Sequence, residues 1–525
     1  MKAKKLLITS SIMLLVAGAL ASCDTSSVAT NSGNTVSSDT TSVTEIGSEQ
    51  EDVTDEYTSI DASEYFSDKD YVTDYADEDL KTITLADDAS STSADSEDVT
   101  IDGNVITISA KGYYVLSGEL SEGQIILDND DDEKFHIILD NVSISNSSAP
   151  AILVSNADKV FMTTAEGSVN TISSSVDGEA DENAAIYSHD DLTLNGLGTL
   201  TVTASAAHGI KSSDELTITS GTYNVTAEKN CLRGKDSVAI ADGTFNLEAG
   251  SDGIHSENSD NEEKGNVYII GGDINISAAD DAIHAEKTLT IYDGDIDITS
   301  SYEGIEGQNI YIGGGDISVR ATDDGVNCGD GTGGGTGEVV NVETQSSITF
   351  TMAGGSLYVN SDADGIDSNG YIWINGGEIV IDGPTDFRES AIDFDADCYF
   401  NGGTVIGIDA SENLETFSEY STQGNIMYCL DNTASANTLV TLKDSSNAEL
   451  MSYTPSKQFS TISFSSSDVV VGETYTLTVG DDEYTIKMET TAFTNYVEGD
   501  SGGMPGGDGG PGGDGGPGGP GGTRP

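Results

Sequence analysis

A phrase of the form (Gly/Ala)-(Ile/Leu/Val), preceded by turn residues, returns roughly every 22 residues through the middle of this chain, a period that marks one structural unit stacked on itself. It stands at Ala185-Ile186, Gly209-Ile210, Cys231-Leu232, Gly253-Ile254, Ala282-Ile283, Gly304-Ile305, Gly325-Val326, Gly365-Ile366 and Ala391-Ile392. After each anchor come an apolar-x-apolar triplet, a Gly-containing turn and a second triplet, as in Leu216-Thr217-Ile218, Gly221 and Tyr223-Asn224-Val225. The same cadence gives Ile372-Trp373-Ile374 with Ile379-Val380-Ile381. Such alternation places flanking and middle residues on opposite faces of short strands. Single units are too small to bury a core, and stacking supplies one. The expected fold is therefore all-β, a right-handed parallel β-helix with rungs about 4.8 Å apart. The nonapeptide calcium β-roll is excluded because its period is far shorter.

Two repeats are stretched, by Glu257 to Gly265 and by Gly329 to Ser346, and such insertions map to loops on one face. From about residue 410 the period is lost. Leu439 to Leu442, Ile462 to Phe464, Tyr475 to Val479 and Tyr484 to Lys487 read as antiparallel strands. A small β module over 411–498 is expected to cover the open end of the helix, carried by 96–410, because an uncovered rung leaves unpaired strand edges.

Residues 1–22 read as a secretory signal: Lys2, Lys4 and Lys5 precede the apolar run Leu6 to Leu20, and the sequence ends Leu20-Ala21-Ser22-Cys23. That ending resembles the bacterial lipobox, which implies lipidation of Cys23, a membrane anchor and a place on the extracellular face of a bacterial membrane. Residues 23–95 are rich in Ser, Thr, Asp and Glu and read as a disordered tether. The Gly/Pro-rich stretch 499–525 lacks a collagen period and reads as a solvated tail. A net charge of -71 excludes a nucleic-acid partner and suits divalent cations. Cys231, Cys328, Cys398 and Cys429 have neither zinc-site nor disulfide-framework spacing, and Cys231 and Cys398 are expected to be buried thiols. A monomer is expected.

Stacking allows positions to be read as columns. Two residues before the anchor the column runs Ala184, His208, Asn230, Asp252, Asp281, Glu303, Asp324, Asp364, Ser390. One residue after it, the column runs Tyr187, Lys211, Arg233, His255, His284, Glu306, Asn327, Asp367, Asp393. Carboxylates about 4.8 Å apart repel by about 1 kcal/mol per pair even in water, so cations are expected among them. Ca2+ accepts six to eight oxygens in flexible geometry. Its expected ligands are Glu303, Glu306, Asp323, Asp324, Asp364 and Asp367, with Asp252, Asp280 and Asp281 as a second site. A third column, the middle residue of the first triplet, carries Tyr268, Tyr311, Trp373 and Tyr399. Rings two rungs apart, about 9.6 Å by the strand spacing, match alternate sugars of a β-linked chain. Lys211 and Arg233 are candidate grips for uronates.

Gly112-Tyr113-Tyr114-Val115-Leu116-Ser117-Gly118, Gln124-Ile125, the run Phe135 to Val142, Ala151-Ile152 and Gly167-Ser168-Val169-Asn170 resemble the start of the bacterial surface carbohydrate-binding β-helix proteins, which are similar in fold to pectate lyases. A Gly/Met/Pro-rich tail like Gly502-Gly503-Met504-Pro505 also occurs in them. The resemblance implies calcium binding and attachment to plant cell-wall polysaccharide, cellulose or polygalacturonate, with no established catalysis. Two alternatives stay open. A Ca2+-dependent lyase needs a base near the carboxylates, for which Arg320 is the first candidate. A polygalacturonase-type hydrolase needs paired carboxylates such as Asp323, Asp324 and Asp364. A structural adhesin needs neither.

Overall fold

A computed structural model of the chain describes residues 63, 65–129, 134–329, 347–412 and 414–496. The signal segment, Cys23, the residues before position 63, most of the second insertion and the Gly/Pro-rich tail lie outside the described residues. All described regular structure is β apart from an isolated 3-10 residue.

The repeat read from the sequence winds into three parallel stacks. The anchor stack runs through Ala184–Ser188, His208–Ser212, Leu232–Gly234, Ile254–Ser256, Val326–Cys328, Ile366–Ser368 and Ile392–Phe394. The longer strands Ile283–Ile291 and Ile305–Ile312 each serve both the anchor stack and the first-triplet stack. The second triplets form the third stack, from Val169–Ser174 through Thr222–Ala227 and Asp316–Ala321 to Thr404–Asp409. Pairing is in register: Ile210 meets Leu232, which meets Ile254, which meets Ile283. Every anchor side chain therefore points into the same apolar column, and Ile186, Ile210, Leu232, Ile254 and Ile283 are fully buried. Within the coil the expected parallel β-helix is the observed fold.

Small residues before the anchor are a steric demand. A Cβ on Gly325 would sit 2.2 Å from Val359 Cγ1 and 2.7 Å from the Gly365 carbonyl oxygen of the next rung. The turn between triplets recurs with left-handed backbone, as at Gly221 (φ 122°) and Gly243 (φ 142°), a conformation that glycine adopts without Cβ strain.

The last rung does not end on a bare edge. Phe459–Ser465 pairs antiparallel with both Thr404–Asp409 and Asn425–Ala434. A separate four-stranded antiparallel sheet is formed by Glu449–Tyr453, Val440–Lys443, Thr474–Val479 and Asp482–Lys487. At the other end the sequence reading needs correction. The tether expected over 23–95 does not hold for its C-terminal part, because Leu80–Leu85 pairs in parallel with Gly112–Leu120 and buries Ile83 and Leu85. Its short alternating pattern is swamped by the Ser/Thr/Asp-rich composition around it. Cys231, Cys328 and Cys398 are buried free thiols.

Candidate functional site

The anchor stack turns the two charged columns into neighbouring stripes. Tyr187, Lys211, Arg233, His255, His284, Glu306, Asn327, Asp367 and Asp393 pair rung by rung without a break. The other column is tied through the backbone. The amides of Cys231, Gly253, Ala282, Gly304 and Gly325 donate to the carbonyls of Asp252, Asp281, Glu303, Asp324 and Asp364 on the next rung. The two stripes together change from basic to acidic along the axis.

At the basic end Lys211 donates to Asn183 Oδ1 (2.8 Å), and its ammonium lies 5.2 Å from the centre of the Tyr187 ring. Burial, with Arg233 close by, pushes Lys211 down to about 8 and His208 down to about 2. Arg233 pairs with Glu257 at 3.1 Å, and burial only partly offsets the His255 and Arg233 contacts that hold Glu257 at about 2. In the middle imidazoles and carboxylates interleave: His255 Nδ1 lies 2.5 Å from Asp252 Oδ2, and His284 Nδ1 lies 3.2 Å from Asp281 and 3.1 Å from Glu306.

At the acidic end no cationic side chain among the described residues pairs with the carboxylates of Asp364, Asp367 and Asp393. Asp364, Asp367 and Asp393 each offer an oxygen within 4.8 Å of the others, and among the described residues none of them has an ion-pair partner. Burial, compounded by the neighbouring carboxylates, pushes Asp364 up to about 9, Asp367 to about 8, Asp324 to about 7 and Glu303 to about 7. Asp324 accepts from the Asp364 amide (2.8 Å), Asp364 accepts from the Ser390 amide, and Asn327 donates to Glu303 (2.9 Å). These bonds fix the oxygens while leaving their charge unbalanced. Asp393, which the sequence reading placed in the column without making it a ligand, completes the group. Asp280 is exposed beside Asp252 and Asp281, and Asp323 stands next to Asp324 at the turn.

The aromatic column is in register as read, from Tyr268 through Tyr311 and Trp373 to Tyr399. Its exposure is not as expected. Tyr311 is only 7 % exposed and lies 5.4 Å from the Tyr292 ring. Tyr268 is stacked under Tyr65 at 3.7 Å. For Tyr268 the cause is a segment the periodicity could not announce. Residues 65–75 lie along this face, and Asp70, 1 % exposed, accepts from Thr193 Oγ1 (2.6 Å) and pairs with Lys159 (2.9 Å). Asn195 and Thr219 donate to the Asp70 carbonyl. Asp70 was missed because a lone Asp in an acidic stretch carries no signal. Further along the column Trp373 is stacked on Tyr399 (4.1 Å, 7°), with Tyr371 beside them, and all three are half-buried.

Arg320 does not stand with the carboxylates. It is exposed on the second-triplet strand Asp316–Ala321, in register with Asn360, on a different stack from Asp324 and Asp364. The two triplets share an outward alternation, so linear nearness to Asp324 misled the reading.

Residues 102–346 match a family described as carbohydrate-binding domain-containing protein. A curated protein of the same description from Acetivibrio thermocellus is 35 % identical over 128 residues, which is 23 % of this chain and 45 % of that protein. The chain thus spans less than half the length of that relative. A solved structure, described as the polysaccharide lyase-like protein from C. thermocellum in a gadolinium derivative, is similar at 31 % identity and a TM-score of 0.40, over 48 % of this chain and 98 % of that one. Over residues 102–346, just under half of its length, this chain is thus similar to the carbohydrate-binding domain-containing protein family.

Proposed function

We propose that the protein binds acidic cell-wall polysaccharide, polygalacturonate or a related pectin, along its anchor stack, with Ca2+ bridging polymer carboxylates to the acidic end. The observation that carries this is the Asp364, Asp367 and Asp393 group, whose oxygens converge without a protein cation. Oxygen-only donors with spare coordination positions suit Ca2+, which takes further oxygens from a sugar. Lys211 and Arg233 extend the same stripe and contact uronates directly. The half-buried Trp373, Tyr399 and Tyr371 rings supply a flat apolar face for a sugar ring, which also accommodates cellulose. Lipidation at Cys23 would hold this surface at the outer face of a membrane. Release of a Cys23→Ala protein into the medium tests that anchor.

The deciding experiment is calorimetric titration with polygalacturonate and with cello-oligosaccharides, in Ca2+ and in chelator, while the ultraviolet absorbance of unsaturated product is followed. Calcium-dependent binding with flat absorbance supports a binding module. A rise in absorbance supports the second reading, a lyase. That reading needs a base beside the acidic group, and Lys211 stands six rungs from Asp367 along the stripe while Arg320 lies on a different stack.

A further inference from the structure

The middle of the charged stripe repeats one tetrad on successive rungs, Asp252-Gly253-Ile254-His255 and Asp281-Ala282-Ile283-His284. Register pairs His255 with His284 and His284 with Glu306. The two imidazoles are 4.9 Å apart between centroids. One donor atom from each of Asp281, His284 and Glu306 falls within 4.8 Å of the others, and so does one from each of Asp252, His255 and His284.

Two observations separate this cluster from the oxygen-only group at Asp364. The first is spacing. Zinc-type ions sit about 2.0–2.2 Å from nitrogen and carboxylate ligands, which places neighbouring donors about 3–3.5 Å apart. His284 Nδ1 already lies 3.2 Å from Asp281 Oδ2 and 3.1 Å from Glu306 Oε2. The second is His255, only 7 % exposed, whose Nε2 is buried with no hydrogen-bond partner. Glu257 Oε2 stands 3.5 Å away, beyond hydrogen-bond length. Asp252 Oδ2 lies 2.5 Å from Nδ1, and with the proton on Nδ1 donated to that carboxylate the Nε2 lone pair is left as a ligand. That carboxylate-imidazole arrangement is the usual support for a metal-bound histidine.

We propose that Asp252, His255, Asp281, His284 and Glu306 form a site for a single divalent transition ion of the Zn2+ class. Imidazole nitrogen favours such ions, whereas Ca2+ selects oxygen. The side chains of His284 and Glu306 are each 23 % exposed, so the outer side of the site is open to water or a ligand oxygen. The ion would lie where the stripe passes from basic to acidic, and it would be chemically distinct from the Ca2+ group.

The test uses the whole protein in excess Ca2+, which occupies carboxylate-only sites. Zn2+ is titrated calorimetrically, Co2+ by visible absorption, and the Zn2+ complex is studied by X-ray absorption at the metal edge. The expected result is a single ion resistant to Ca2+, with imidazole scattering in the wild-type protein. His284→Gln and His255→Gln are expected to weaken it at least tenfold. Displacement by Ca2+, scattering from oxygen alone, or undiminished affinity in both histidine variants would overturn the proposal. The wild-type spectrum decides even if a variant fails to fold.

Discussion

Replacing Asp367 by Asn should stabilise the protein without metal and weaken it with Ca2+. An ordinary Asp titrates near 3.9 in an unfolded chain. Burial, with Asp324 and Asp393 adjacent, pushes Asp367 up to about 8 in the fold. The folded state therefore holds a proton that the unfolded state has released, and stability falls as pH rises from about 4 towards 8. At pH 7 about three units separate the two states, roughly 4 kcal/mol at 1.36 kcal/mol per unit. Partial solvent access halves this to about 2 kcal/mol. Asn carries no charge to suppress, so Asp367→Asn should raise the denaturation midpoint at pH 7 without metal and leave it nearly unchanged at pH 4. In Ca2+ the sign reverses, because a ligand oxygen charge is lost and the ion's contribution, about 2.7 kcal/mol at a hundredfold excess over Kd, shrinks. The assay is thermal or urea unfolding at both pH values, in chelator and in Ca2+. Equal destabilisation under all four conditions would show that Asp367 is held for its hydrogen bonding alone, and the charge argument would fail.

The same logic applies to the acidic end as a whole. Asp364, Asp324 and Glu303 are also raised, so the metal-free melting temperature should fall steadily from pH 4 to pH 9, and Ca2+ should flatten the slope. Asp70→Ala removes a buried partner of Lys159 and should cost about 3 kcal/mol, read by urea unfolding, with faster proteolysis near residue 70. Trp373→Ala should lower oligosaccharide affinity by about 1 kcal/mol while leaving calorimetric Ca2+ binding intact. Because Trp373 is the only Trp, ligand-induced change in wild-type fluorescence gives an independent check. Arg233→Ala should weaken the calcium-independent part of polygalacturonate binding by about tenfold. An unchanged titration in chelator would remove Arg233 from the polymer path.

How much of this was legible follows from the geometry of stacking. A parallel coil in register makes sequence period equal to spatial adjacency, so Asp364, Asp367 and Asp393 are neighbours because they share a phase. Column reading worked for backbone position and failed for accessibility. Tyr268 and Tyr311 keep their places in the register, yet one is stacked under Tyr65 and the other is buried. Residues 65–75 belong to no repeat, and the fit of Asp70 against Thr193, Asn195 and Thr219 spans more than a hundred residues of sequence. The middle histidines were read as basic members of a column. Their pairing with Asp252 and Asp281 depends on side-chain direction, which phase alone does not fix.

The order of residues in the stripe has its own consequence. A uniform carboxylate column would repel an acidic polymer along its whole length. A uniform basic one would bind it without metal. Here Lys211 and Arg233 stand at one end, the Asp-His pairs in the middle, and Asp364, Asp367 and Asp393 at the other. A polyuronate laid along the axis would meet guanidinium and ammonium directly on some rungs and a bridging cation on others. Binding would then persist weakly in chelator and strengthen with Ca2+, and the two contributions, several rungs apart, should add as independent sites do. Additivity of Arg233→Ala and Asp367→Asn in Ca2+ is the signature of one polymer spanning both ends. Failure of either substitution to affect a ligand long enough to reach both would confine the polymer to one end.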